Sequence, residues 1–166
     1  MTFHLYIMRH AKSDWAVAGT PDFERTITTR GEKNSIRVGQ WMADNDRVPE
    51  KIISSSAVRA KQTIALVAEQ FAGSETIIYE KDLYLADPET LTEYIQLYKD
   101  GVTSLMLVAH NPGLDQLVHY LSDGLEKEYR SMTTANLAIF EYQDNQFDPA
   151  TDKGKLIKFI KPKELD

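Results

Sequence analysis

The chain of 166 residues contains no cysteine. That absence excludes a disulfide framework, a cysteine-ligated zinc or iron–sulfur site, and any thiol nucleophile. Glycine (8) and proline (6) are too sparse for a collagen-like or Pro/Gly-rich disordered chain. No run approaches the roughly 18 apolar residues needed to span a bilayer. The first apolar run, residues 3–8, is short, contains a histidine and precedes its basic residues, the reverse of a secretory signal. A soluble cytoplasmic protein with no membrane partner is therefore expected. Acidic residues outnumber basic ones, 25 to 19, and a net charge of −6 argues against a nucleic-acid partner. Also absent are the P-loop, G-x-G-x-x-G and H-E-x-x-H patterns and the D-x-D-x-T run of an aspartyl-phosphate enzyme.

The length predicts one domain over residues 1–166, with no repeat or linker to divide it. Charge is unevenly spread. Residues 1–62 carry 10 Lys/Arg against 7 Asp/Glu, a net +3, whereas residues 63–166 carry 9 against 18, a net −9. A basic first third in an acidic protein can focus positive potential on an anionic ligand.

Residues 3–8 form an apolar run long enough for a buried strand and too short for a helix. A long loop follows, over residues 9–28. Thr29, with Glu32 three residues on, reads as a capping box opening a helix faced by Ile36, Val38, Trp41 and Met42. Strands are predicted at residues 51–55, 76–80 and 104–109. Helices are predicted over residues 57–71, striped by Ala60, Ile64, Val67, Ala68 and Phe71, and from Pro88, striped by Leu91, Tyr94, Ile95 and Tyr98. Asn111-Pro112 reads as the N-cap and first residue of a further helix carrying Leu114, Leu117, Val118 and Leu121. Residues 135–142 and 155–160 look like strands and suit an antiparallel hairpin at or near a sheet edge. Strands alternating with helices imply a three-layer α/β sandwich with a mostly parallel central sheet.

In such sheets ligands bind beyond the carboxyl ends of the strands. Arg9-His10 follows the first strand, Ser56-Ala57-Val58-Arg59 the second, and His110-Asn111-Pro112-Gly113 the fourth. If these strands are neighbours, two histidines and two arginines share one rim. Guanidiniums offer planar paired donors to phosphate oxygens, and helix N-termini add backbone N–H groups. A neutral imidazole is a competent nucleophile near pH 7, and neighbouring positive charge helps keep it neutral. This set suits phosphoryl transfer with no metal and no cofactor.

Leu5-Tyr6-Ile7-Met8-Arg9-His10-Ala11-Lys12-Ser13 resembles the opening signature of the histidine phosphatase superfamily. Its Arg-His-Ala-Lys-Ser form resembles the small SixA-type phosphohistidine phosphatase branch. Asp22-Phe23-Glu24-Arg25 with Thr28-Thr29-Arg30-Gly31, then residues 54–63 (Ser-Ser-Ser-Ala-Val-Arg-Ala-Lys-Gln-Thr), then Val108-Ala109-His110-Asn111-Pro112-Gly113 extend the match in order. Met132-Thr133-Thr134-Ala135 is a weaker late match. The resemblance implies a phosphoglycerate-mutase-like fold. It makes His10 the nucleophile, has Arg9, Arg59 and His110 hold the phosphoryl oxygens, and adds Arg25 and, more weakly, Ser13 as substrate contacts.

The match departs from the family at two places. Ala11 replaces a usual glycine, which a negative φ tolerates. Larger sugar-phosphate members carry a Leu-x-Glu whose Glu protonates the leaving oxygen, and here the stretch Asp82-Leu83-Tyr84-Leu85-Ala86 has Leu85. An imidazole leaves more readily than an alkoxide, its conjugate acid having a pKa of about 6.5. The departure thus favours a P–N bond and a phosphorylated protein, such as a phosphotransfer or phosphocarrier domain, although Glu80 or Asp82 remains available as an acid. The alternatives are a phosphomonoesterase for a small phosphorylated metabolite and a silent phosphate-recognition module. Elsewhere His4 reads as a satisfied strand histidine, His119 as exposed, Asp44-Asn45-Asp46 as a helix end, Trp41 as packing, and Trp15 as packing or a border of the pocket.

Overall fold

The computed structural model describes residues 1–15, 17–73, 76–122 and 131–165. Six strands form one sheet: β1 (Phe3–Arg9), β2 (Lys51–Ser55), β3 (Thr76–Glu80), β4 (Ser104–Ala109), β5 (Leu137–Tyr142) and β6 (Lys155–Ile160). The order across the sheet is β3-β2-β4-β1-β5-β6. The first four in that order run parallel, β5 lies antiparallel to β1, and β6 closes the edge antiparallel to β5. The expected hairpin is therefore the sheet's edge.

Helices α1 (Thr29–Asp44) and α2 (Val58–Ala68) cover one face, and α3 (Pro88–Tyr98) and α4 (Gly113–Leu121) the other. The period-2 geometry of a strand explains how a continuous apolar run serves both layers. Met106 and Val108 of β4 pack with Val38, Met42, Ile64 and Val67 beneath α1 and α2. Their neighbours Leu105, Leu107 and Ala109 pack with Leu91, Ile95, Leu114 and Leu117 beneath α3 and α4. The result is the expected three-layer sandwich.

Local boundaries differ from the sequence reading for identifiable reasons. Thr28, not Thr29, caps α1: it is extended at φ −80° and ψ 169°, and its hydroxyl accepts from the Gly31 N–H at 3.0 Å. The capping box with Glu32 therefore does not form. Helix α4 starts at Gly113, and Asn111 serves it by accepting from the Asp115 N–H at 3.0 Å. The predicted helix over 57–71 stops at Ala68. Strand β5 starts at Leu137 because Ala135 sits at φ 61°, where its N–H donates to the carbonyls of both Arg9 and His10. His4 is half-buried, with Nε2 3.2 Å from Glu141 on β5.

Two glycines let backbones meet at the carboxyl rim. A Cβ on Gly31 would lie 2.4 Å from the Lys12 carbonyl oxygen, so glycine lets α1 close on the loop after β1. A Cβ on Gly113 would lie 2.0 Å from the Ala86 carbonyl oxygen, joining α4 to the segment after β3. Backbone cannot swing aside as a side-chain tip can. Gly113→Ala is expected to cost about 1–3 kcal/mol, as overpacking does. Urea unfolding measures it, and an unchanged midpoint would contradict the contact.

Candidate active site

Strand β4 lies between β1 and β2, and this order assembles the site. The register pairs Arg9 with Ala109 across β1 and β4, and Val108 with Ser54 across β4 and β2. His110 therefore emerges between Arg9-His10 on one side and the β2–α2 turn on the other. The imidazoles of His10 and His110 stand 5.1 Å apart, centroid to centroid. Arg59, in the first turn of α2 and only 2% exposed, donates from Nε to Nε2 of His10 at 3.4 Å. All four residues line one open cavity of about 320 Å³, with Arg25, Ser13, Lys12, Asp22, Trp15, Leu85, Asn111 and Thr134.

His10 is held in one tautomer. Its Nδ1 lies 2.8 Å from the Ala11 carbonyl, to which an Nδ1–H donates, and that leaves the lone pair on Nε2. Ala11 has no positive φ and donates its N–H to Thr63 Oγ1 at 2.9 Å. The Thr63 hydroxyl in turn donates to the Arg59 carbonyl at 2.7 Å. This short relay locks the His10 turn to the helix that carries Arg59. Burial, then the charges of Arg59, Arg9 and Arg25, lower the His10 pKa from 6.5 to about 4. The bond to Ala11 opposes that shift without reversing it.

His110 is complementary. Its Nε2 lies 2.8 Å from the Ser55 hydroxyl, which also accepts from the Ala57 N–H. If Ser55 donates to Nε2, the proton of His110 resides on Nδ1. That nitrogen is buried and has no hydrogen-bond partner among the described residues. Burial first, then His10 and Arg59, lower its pKa to about 3. Arg9 is anchored by a donation from NH1 to the Met132 carbonyl at 3.0 Å, and its Nε is likewise buried without a partner among the described residues.

Arg25 reaches the cavity from the long loop. Its Nε donates to Asp22 Oδ1 at 2.9 Å and its NH1 to Ser13 Oγ at 3.0 Å. Its guanidinium also lies 5.6 Å from the ring of the exposed Trp15. Ser13 is nearly buried and bridges to Ile27, so it both shapes the turn and lines the cavity.

Sequence reasoning missed the roles of Asp22 and Tyr84. Asp22 opens a short 3₁₀ turn and meets Arg59 twice, through its carbonyl at 2.7 Å and its carboxylate at 3.1 Å. The Tyr84 hydroxyl donates to the same carboxylate, and its ring stands edge-on to His110 at 5.4 Å. The Tyr84 bond, followed by the arginines, lowers the Asp22 pKa to about 2. The Asp22-Phe23-Glu24-Arg25 motif pointed to this segment, but nothing in the sequence pairs it with a tyrosine 62 positions away.

Glu80 and Asp82 stand outside the cavity lining. They accept from the hydroxyls of Tyr98 at 2.6 Å and Tyr94 at 2.7 Å, respectively. Leu85 lines the cavity at φ 52°. Among the described residues no cluster of three or more His, Asp or Glu side chains is arranged to hold a metal ion, and no helix is long and apolar enough to cross a membrane.

Comparison with known proteins converges on one family. A model of the histidine phosphatase superfamily (branch 1) matches residues 5–84. An uncharacterized protein of Mycobacterium tuberculosis is 33% identical over 163 residues, 94% of this chain and 100% of its own. Phosphohistidine phosphatase SixA of Escherichia coli is 28% identical over 123 residues, 72% of this chain and 74% of that protein. A solved structure from Agrobacterium tumefaciens, described as a candidate SixA phosphohistidine phosphatase, matches at TM-score 0.82 and 29% identity, over 96% of this chain and 98% of that one. The chain belongs to the histidine phosphatase superfamily and is a hydrolase acting on phosphoryl groups.

Proposed function

We propose that the chain is a single-domain, metal-independent phosphatase of the cytoplasm that removes the phosphoryl group from phosphohistidine in a protein. His10 is the nucleophile. Its Nε2 lone pair attacks phosphorus while Arg9, Arg59, Arg25 and Nδ1–H of His110 hold the oxygens. The substrate's P–N bond breaks, and the leaving imidazole, protonated on its other nitrogen, departs neutral. Water then attacks phosphorus on His10, the new P–N bond breaks, and inorganic phosphate is released. Similarity to SixA of Escherichia coli, a phosphohistidine phosphatase, supports the substrate class.

The observation that carries this reading is the state of Asp22. Among the described residues it is the one carboxylate lining the cavity, and Tyr84, Arg59 and Arg25 hold it ionised. A carboxylate with a pKa near 2 is a poor proton donor at neutral pH. An alkoxide leaving group needs such a donor, and a protonated phosphoimidazole does not. Wild-type protein is therefore expected to cleave a histidine-phosphorylated protein at least ~100-fold more efficiently, in kcat/KM, than sugar or nucleoside phosphates. It should also retain acid-labile ³²P on His10. His10→Ala should lose both the label and about three orders of magnitude in turnover. Faster cleavage of the esters would shift the assignment to a small-molecule phosphomonoesterase, and an undiminished rate in the variant would remove His10 from its role.

The lowered histidine pKa has a direct consequence. Above about pH 4 the His10 ring is neutral and its lone pair is available, whereas an ordinary histidine would be mostly protonated below 6.5. In the free protein the His10 ring proton resonance should titrate with a midpoint near pH 4, read by NMR against His10→Ala for assignment. A midpoint near 6.5 would show that burial and the arginines do not hold the ring neutral.

A further inference from the structure

Beside the catalytic cavity lies a second one, of about 430 Å³, lined by Lys12, Arg30, Lys33, Arg37, Lys161 and Lys163 together with Asn34, Thr133, Thr134 and Pro162. Lys12 and Thr134 line both, so the two cavities adjoin. Six cations line this groove and, among the described residues, no carboxylate does. That is notable in a chain of net charge −6. We propose that this groove is the docking surface for an acidic protein face surrounding the substrate phosphohistidine. The inference rests on the function proposed above and identifies the partner's chemistry.

The placement of the cations is specific. Arg30, Lys33 and Arg37 are spaced three and four apart, so they form one stripe along α1. Lys161 and Lys163 follow β6 and form the facing wall. Arg37 ties the walls together by donating to the Pro162 carbonyl at 3.4 Å. Arg30 and Lys33 stand near the N-terminus of α1, where the helix dipole disfavours cations. The dipole therefore gives no stabilising reason for Arg30 in the first turn, whereas an anionic partner would gain from both the side chains and the dipole.

Two features favour a protein over a small polyanion. The stripe from Arg30 to Arg37 alone spans about 10 Å of helix, more than one extra phosphate on a metabolite needs. Arg30, Lys33, Lys163 and Lys12 are also exposed, mobile-stemmed charges of the kind that steer diffusional encounter. On the rim of the catalytic cavity Trp15 is 84% exposed, and Val17 nearby in the chain is 73% exposed. Exposed aromatics beside a site are enriched at protein contacts.

The test compares wild type with an Arg30→Glu, Lys33→Glu, Lys163→Glu variant. Glutamate near the start of α1 suits the helix dipole, so the variant should fold. Two substrates are used: phosphoramidate, and a phosphocarrier domain phosphorylated on a histidine with carboxylates around it. The variant is expected to lose at least ~10-fold in kcat/KM on the protein, mainly through KM, with a flattened salt dependence. Its rate on phosphoramidate should stay within twofold. Neutralising the carboxylates on the phosphocarrier should produce the same loss in wild type. Equal losses on both substrates would overturn the docking role, because the groove would then only support the pocket. Normal cleavage of the protein by the variant would overturn docking and leave the phosphohistidine reading intact. Tripolyphosphate serves as a third probe, and a loss confined to it would overturn protein docking and assign the groove to small polyanions. Failure of wild type on the protein, with phosphoramidate cleaved, would overturn the phosphohistidine-protein reading and the docking together.

Discussion

Gathering guanidiniums at one sheet rim is electrostatically unfavourable unless negative charge is close by, and the site is organised around that constraint. Arg59 is almost wholly buried, and a buried charge needs a partner. Asp22 supplies it, with a carboxylate held ionised by Tyr84 and by the arginines it neutralises. The pairing costs the site its only lining carboxylate, among the described residues, as a proton donor. It also leaves the donors of Arg9 and His110 uncommitted: Nε of Arg9 and Nδ1 of His110 are buried without partners among the described residues. A tetrahedral oxyanion in the cavity would bring negative charge to the arginines that line it. Charge balance thus links the choice of ligand to the choice of leaving group.

The same constraint explains why His10 is neutral. Burial removes water from around the His10 imidazole, and three arginines oppose its protonation. Its one bond to backbone, at Ala11, keeps a proton on Nδ1 and so leaves Nε2 unprotonated, facing the Nε of Arg59. Thr63 transmits the position of α2 to that turn through two hydrogen bonds. Ala135 fixes the other side with one N–H shared between the Arg9 and His10 carbonyls. His10 is therefore positioned from both neighbouring layers, and a left-handed alanine is part of the arrangement.

Much of this was legible in the sequence because strand ends are legible. The apolar runs ending at residues 8, 55 and 109 placed Arg9, Arg59 and His110 at one rim once the strands were parallel. The actual order, with β4 between β1 and β2, is the arrangement that convergence required. What escaped notice comes from segments with no periodicity. Asp22 and Tyr84 lie in loops whose meeting depends on the path of the chain above the sheet, and no local pattern encodes it. The capping misreading has a similar cause, since Thr28 and Thr29 are chemically equal candidates and only the extended backbone of Thr28 separates them. Glu80 and Asp82 looked available as acids until α3 placed Tyr98 and Tyr94 against them.

The basic first third of the chain divides between two tasks, and Lys12 marks the division. Arg9, Arg25 and Arg59 turn into the cavity at the sheet rim, where Asp22 pairs with Arg25 and Arg59. Arg30, Lys33 and Arg37 turn along α1 into the adjoining groove, whose described lining holds no carboxylate. Gly31, which lets α1 close on the Lys12 carbonyl, sets how near the two positive regions lie. Two cationic regions held that close repel each other, and nothing about packing the core requires it, since the stripe faces away from the apolar side of α1 where Val38 and Met42 are buried. A ligand that extends beyond a single phosphoryl group and carries negative charge on the side of α1 would relieve that repulsion. A phosphohistidine set within an acidic protein surface has that shape.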